Sequence, residues 1–122
     1  MTYKEAVHQM LDALGQTVEA IDMLMDENVL LAEIIADSNL GHHSTEAKEF
    51  LDDYVKKADN FYKINRTKDN NYWDDKLEVL MQVMQKASEF IMELQNYLDK
   101  YTNLIIQYNL SEEVMKRRKK ES

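Results

Sequence analysis

From Trp73 onward the apolar residues of this chain keep one rhythm without a break. Trp73, Leu77, Leu80, Met84, Ala87, Ile91, Leu94, Leu98, Tyr101, Ile105 and Tyr108 alternate spacings of four and three. A strand turns its side chains over every second residue, so positions spaced this way share a face only on an α-helix. A parallel row, Val83, Phe90, Tyr97 and Leu104, widens that face enough to touch more than one neighbour. At 1.5 Å per residue the helix would be about 54 Å long.

The N-terminal segment predicts a partner of similar length, about 52 Å. Thr2 and Glu5 stand in capping-box spacing, which starts a helix. With Val7 at heptad position a, Val7, Leu14, Ile21, Asn28 and Ile35 fall at a, and Met10, Thr17, Leu24 and Leu31 at d. Leu11, Val18, Met25 and Ala32 broaden the seam, as in a globular bundle rather than a two-stranded zipper. The helix is expected to stop at Asn39-Leu40-Gly41, where glycine accepts a left-handed backbone.

Between the two lies a shorter helix. His42 and His43 read as loop, Ser44 or Thr45 as the N-cap, and Ala47, Leu51, Tyr54, Ala58 and Phe61, flanked by Phe50, Val55 and Tyr62, carry the pattern to about Ile64. The polar run Asn65 to Asn71 reads as a loop, with Asn70 or Asn71 capping the next helix. Two glycines and no proline exclude folds built on tight turns, such as β-sandwiches and glycine-loop nucleotide domains. The expected fold is therefore all-α: an antiparallel helical bundle of two long helices and one shorter helix with coiled-coil-like packing. It forms one domain over residues 1–110, with 111–122 as a basic C-terminal tail or a short fourth helix. The short middle helix leaves part of the long seam open. Either the last segment folds back to fill it or two chains do so together, and the expectation is a homodimer.

No arrangement of residues for catalysis is complete. Without cysteine there is no disulfide, thiolate metal site or cysteine nucleophile. Glu5-Ala-Val-His8 supplies one Glu-x-x-His pair of the kind that di-metal bundles use, but Asn39 and Leu40 stand three residues before His42 and His43. Glu46-Ala-Lys-Glu49 has no following Glu-x-x-Asp to complete a magnesium site of the helical pyrophosphatase kind. All three arginines, Arg66, Arg117 and Arg118, follow all three histidines, against the order in HEPN-like ribonucleases. No Gly-x-Ser-x-Gly or phosphate-cradling Gly-Lys-Ser loop occurs. The chain is expected to be no enzyme and to carry no catalytic, cofactor or metal site.

Charge points to binding instead. Glu5, Asp12, Glu19, Asp26 and Glu33 recur every seventh residue opposite the first seam, and only Lys4 offsets eight acids through Asp37. Successive acids of the row stand about 10.5 Å apart, roughly one Debye length, so their mutual repulsion is weak. A face meant only for solubility mixes its signs, so a basic partner protein is the sharper expectation. Asn28, polar in an apolar seam, is a candidate for fixing register or for pairing across a dimer axis. Met23, Val29 and Leu30 fall outside the seam and suit an adaptable contact surface. The tail residues Lys116, Arg117, Arg118, Lys119 and Lys120 bring five positive charges to a chain whose net charge is -8. They have no interleaved aromatics to stack bases, which disfavours nucleic acid, and they would suit the acidic row of another copy. No stretch approaches a membrane span, and the first residues lack the apolar core of a signal peptide, so a cytoplasmic protein is expected.

Residues 46–112 also carry Trp73 near an inter-helix turn and a long helix ending in Tyr108-Asn-Leu-Ser-Glu112. That pair resembles the turn tryptophan and Tyr-x-x-x-Asp/Glu signal of WXG100-type and related type VII secretion proteins. Asp75 stands where that family's turn has glycine, and the long first helix is additional. The resemblance implies a helical secretion partner or chaperone, as an alternative to a regulator, inhibitor or adaptor that engages a basic protein.

Overall fold

A computed structural model describes residues 2–67 and 70–121. Their architecture is helical throughout: α1 (Tyr3–Asp37), α2 (His42–Arg66), the single turn α3 (Asn70–Trp73), α4 (Leu77–Gln107) and α5 (Ser111–Glu121). The chain runs up along α1, down α2 and up α4. This is shown by Asp22 meeting Tyr62, Glu46 meeting Lys100, and Asn28 meeting Leu94. α5 then turns back down beside α1, so α1 packs on α2, α4 and α5 and is the hub of the bundle. No helix among the described residues is long and apolar enough to cross a membrane.

The heptad reading of α1 locates its core. Val7, Leu14, Ile21, Asn28 and Ile35 are all buried, and Val18, Leu31, Met25 and Ala32 join them. On α4 the fully buried line is Leu80, Ala87, Leu94 and Tyr101, flanked by Phe90, Leu104 and Ile105. The alternate positions Leu77, Met84, Ile91 and Leu98 are half-buried, and Tyr108 caps the helix as a partly exposed residue. Small side chains at Ala47, Ala58 and Ala87 are buried where helices meet. The α2 and α4 backbones stay further apart than either is from α1, and aromatic rings span the space. Tyr54 stacks on Phe90 with ring centres 5.6 Å apart, and Phe50 meets Tyr97 at 4.9 Å and Tyr101 edge-on at 5.5 Å. The Lys100–Glu46 ion pair, 2.5 Å, closes the outer edge of that contact.

Several local expectations need correction. α1 ends at Asp37, with Ser38 as its cap and Asn39 at φ 55° supplying the left-handed residue expected of Gly41. Gly41, at φ 62° and ψ −127°, instead precedes α2, which begins at His42, two residues before the predicted cap. Ser44 is not that cap. Its buried hydroxyl donates to the Ile35 carbonyl at 2.7 Å and accepts from the Leu40 amide at 2.8 Å, satisfying groups left over where α1 ends. The predicted loop after Ile64 is shorter, because α2 continues to Arg66, and Asn70 and Asn71 lie within α3 rather than capping a helix. The remainder of that loop, Lys68 and Asp69, lies outside the described residues.

Trp73 belongs to α3, not to the long helix, because the chain turns through Asp74 and Asp75 before α4 begins. Its ring is buried against the cluster of Val7, Leu14, Val18 and Leu80, and its indole N–H donates to the Thr67 carbonyl at 2.9 Å. α4 is therefore about 46 Å long, rather than about 54 Å. Its first amide, Leu77 N–H, donates to the Tyr3 hydroxyl at 2.9 Å, which ties the start of α4 to the start of α1. Residues 111–121 form a helix that folds onto α1 of the same chain, with Val114 buried in the main core. The last segment thus folds back on its own chain, beside the C-terminal half of α1.

Candidate protein-binding face of α1

The five acids of the row, Glu5, Asp12, Glu19, Asp26 and Glu33, are all solvent-exposed on α1. What the heptad pattern did not reveal is that Asp12, Glu19, Asp26 and Glu33 border grooves. Between α1 and the C-terminal end of α2, a groove of ≈ 620 Å³ is edged by Asp12 and Glu19, where Gly15 contributes no side chain. Further along, a groove of ≈ 550 Å³ is edged by Asp22, Asp26 and Glu33 over an apolar floor of Met25, Val29, Leu30 and Ala58. A smaller hollow lined by Glu19, Asp22 and Arg66 shares Glu19 and Asn65 with the first groove and Asp22 and Tyr62 with the second. Tyr62 stands in the wall, its hydroxyl donating to Asp22 at 3.3 Å. Burial, reinforced by the Asp22 carboxylate, raises the Tyr62 phenol to about 12. Acid rims above an apolar floor are what a basic amphipathic segment needs, since its long side chains reach the rim while its apolar face meets the floor.

At the C-terminal end of α1 the structure supplies the complementary charge itself. The guanidinium of Arg117 lies 3.7 Å from Glu33, 3.4 Å from Asp37 and 3.3 Å from Glu113. Arg118 pairs with Glu27. Burial would lower the Arg117 pKa, but hydrogen bonds to Glu113 and Asp37 outweigh it and hold the group above its ordinary value. Arg117 and Arg118 are thus spent on acids of their own chain, and Lys116, Lys119 and Lys120 are solvent-exposed. Ion pairs this exposed contribute about 0–1 kcal/mol each. Burying Val114 adds roughly 1.5–2 kcal/mol, and an eleven-residue helix does not hold its shape alone. α5 is a lightly held element on an otherwise well-packed bundle.

Asn28 is fully buried at the α1–α4 contact, where its amide N–H groups donate to the Leu24 carbonyl at 2.9 Å and the Leu94 carbonyl at 3.0 Å. Both N–H groups thus bond carbonyls of this chain and join α1 to α4, while the buried Oδ1 has no hydrogen-bond partner among the described residues. The sequence undervalued Asp22, Glu27 and Asp37, which lie off the seven-residue row but share its grooves or its ion pairs. The available signal was Leu30. It lies outside the α1 seam yet is buried, in the same cluster as Val114 and Ile34.

His42 and His43 sit in the first turn of α2 with ring centres 4.0 Å apart, while Glu46 is engaged by Lys100, whose hydrogen bond and charge lower its pKa. Among the described residues no three His, Asp or Glu side chains converge as metal ligands. Tyr108 caps α4 and Glu112 lies in the first turn of α5, so the two residues of the secretion-like motif straddle a turn. No family model matches the chain, and no curated protein or solved structure shows significant similarity to it.

Proposed function

We propose that this protein is a non-catalytic binding module, a regulator, inhibitor or adaptor, that engages a basic segment of another protein through the acidic face of α1. The observation that carries this reading is the placement of Asp12, Glu19, Asp22, Asp26 and Glu33 along successive grooves between α1 and α2, the last with an apolar floor. A face selected for solubility alone has no need of such a floor. Opposite charge accelerates encounter and the floor supplies the contact that retains the partner.

The test is capture of basic proteins from an extract of the native host by the immobilised full chain, compared with Asp12→Lys combined with Asp26→Lys. Capture is expected to weaken with rising salt and to fall at least about tenfold in the double variant, while circular dichroism stays helical. Equal capture by a folded double variant would refute the assignment.

A further inference from the structure

We infer that α5 is a tethered occupant of a docking surface at the end of α1, and that this surface fits a basic amphipathic helix from another protein, which must displace α5 to bind. The inference rests on the acidic-face reading above and extends it to a surface that the folded chain covers. The surface is the α1 face that runs between Glu27 on one side and Glu33 and Asp37 on the other, where helical spacing places Leu30 and Ile34, which like Val114 belong to the main core. α5 shows how a basic helix sits there. Val114 is buried, and Arg117 and Arg118, one turn later, reach the carboxylates on either side. An apolar residue three positions before a basic pair is the pattern that α5 presents.

The same features make α5 displaceable. Its contacts are chiefly with α1, and among its described residues it contributes one buried side chain, Val114. Met115 beside it is 64% exposed. The connection from α4 is the three-residue turn Tyr108-Asn109-Leu110, in which Asn109 adopts φ 57°. This short tether keeps α5 at a local concentration of roughly millimolar, so a partner in solution meets an occupied surface. Releasing α5 would uncover the α1 face that carries Leu30 and Ile34 and free Glu27, Glu33 and Asp37 from their ion pairs, Glu33 being also at the edge of the open groove. The acidic surface available for binding would lengthen toward the C-terminal end of α1.

The experiment uses the full chain and a labelled synthetic peptide spanning residues 109–122 of the same sequence. Two full-chain variants free the surface: Arg117→Glu with Arg118→Glu, and the same pair with Val114→Asp, which also removes the apolar anchor. Hydrogen exchange reports whether α5 has been released while α1, α2 and α4 remain protected. The peptide is expected to bind the released chains at least about tenfold more tightly than the native chain, and to lose that binding when glutamates replace its own Arg117 and Arg118. A released, folded chain that binds the peptide no better than the native one overturns the proposal. So does an α5 that stays protected in the triple variant, because a helix that cannot leave cannot be displaced. Asp12 and Asp26 play no part in this assay, so its failure leaves the capture experiment to judge the acidic row independently.

Discussion

At the scale of single residues, Asn28 shows how a polar side chain can be specific without being reactive. It is fully buried, and both of its hydrogen bonds end on carbonyls, Leu24 on its own helix and Leu94 on α4. Only a donor fits between two carbonyls. Asn28→Asp replaces that donor with a carboxylate of nearly equal shape and should destabilise the fold by about 3–5 kcal/mol, the cost of an uncompensated buried charge. Urea unfolding should show the loss at neutral pH and its partial recovery in acid, where a protonated carboxyl again donates. A shift smaller than about 1 kcal/mol would mean that the amide does not bridge the helices. The heptad frame put Asn28 in the core from sequence, but the identity of its partner required a second helix, sixty-six residues away.

Elements are where local sequence and tertiary demand diverge, and the two glycines separate them. Gly15 lies inside α1 with an ordinary helical backbone, and a Cβ there would meet the Asn65 side-chain oxygen at 3.7 Å, a normal contact. Gly15→Ala should therefore stabilise the protein by about 0.5–1 kcal/mol, the helix preference of alanine over glycine. Gly41 has open space around it but a φ of 62°. With ψ at −127°, this is a conformation that a Cβ opposes, so Gly41→Ala should cost about 1–3 kcal/mol. Thermal unfolding of the two variants should move in opposite directions, and a common direction would contradict one of these backbone assignments. The sequence marked Gly41 as a helix terminator because glycine and asparagine both tolerate a left-handed backbone. Which of Asn39 and Gly41 closes α1 and which opens α2 depended on where Ser44 could reach the last carbonyls. Trp73 was misplaced for a related reason. Its spacing matches the α4 seam, but a four-three rhythm continues across a break when the chain turns and returns to the same core.

For the molecule as a whole, stability in alkali should reveal how α2 is held to α1. The Tyr62 phenol is raised from 10.0 to about 12 by burial and by the neighbouring Asp22 carboxylate. The neutral form is thus favoured in the folded state. Its contribution is complete below pH 10 and is lost as pH rises from 10 toward 12. Tyr54 and Tyr101, also raised chiefly by burial, titrate later still and extend the loss. Chemical unfolding at a series of pH values should show stability falling across that interval, and Tyr62→Phe should flatten its first part. An unchanged slope in the variant would show that the Tyr62–Asp22 contact does not distinguish the folded from the unfolded chain.

The sequence by itself determined that this chain is helical, which side of each long helix is buried, and that the acids of α1 face outward. Those properties follow from a repeat of 3.6 residues, which local spacing records directly. Tertiary structure decided what the outward acids border and what they meet. The grooves exist because α2 leans on α1, and the basic residues at 117 and 118 reach Glu27, Glu33 and Asp37 because Asn109 turns the chain back. Partners eighty or more residues apart leave no periodic trace. Charge has a sign in the sequence but no address until the chain has folded.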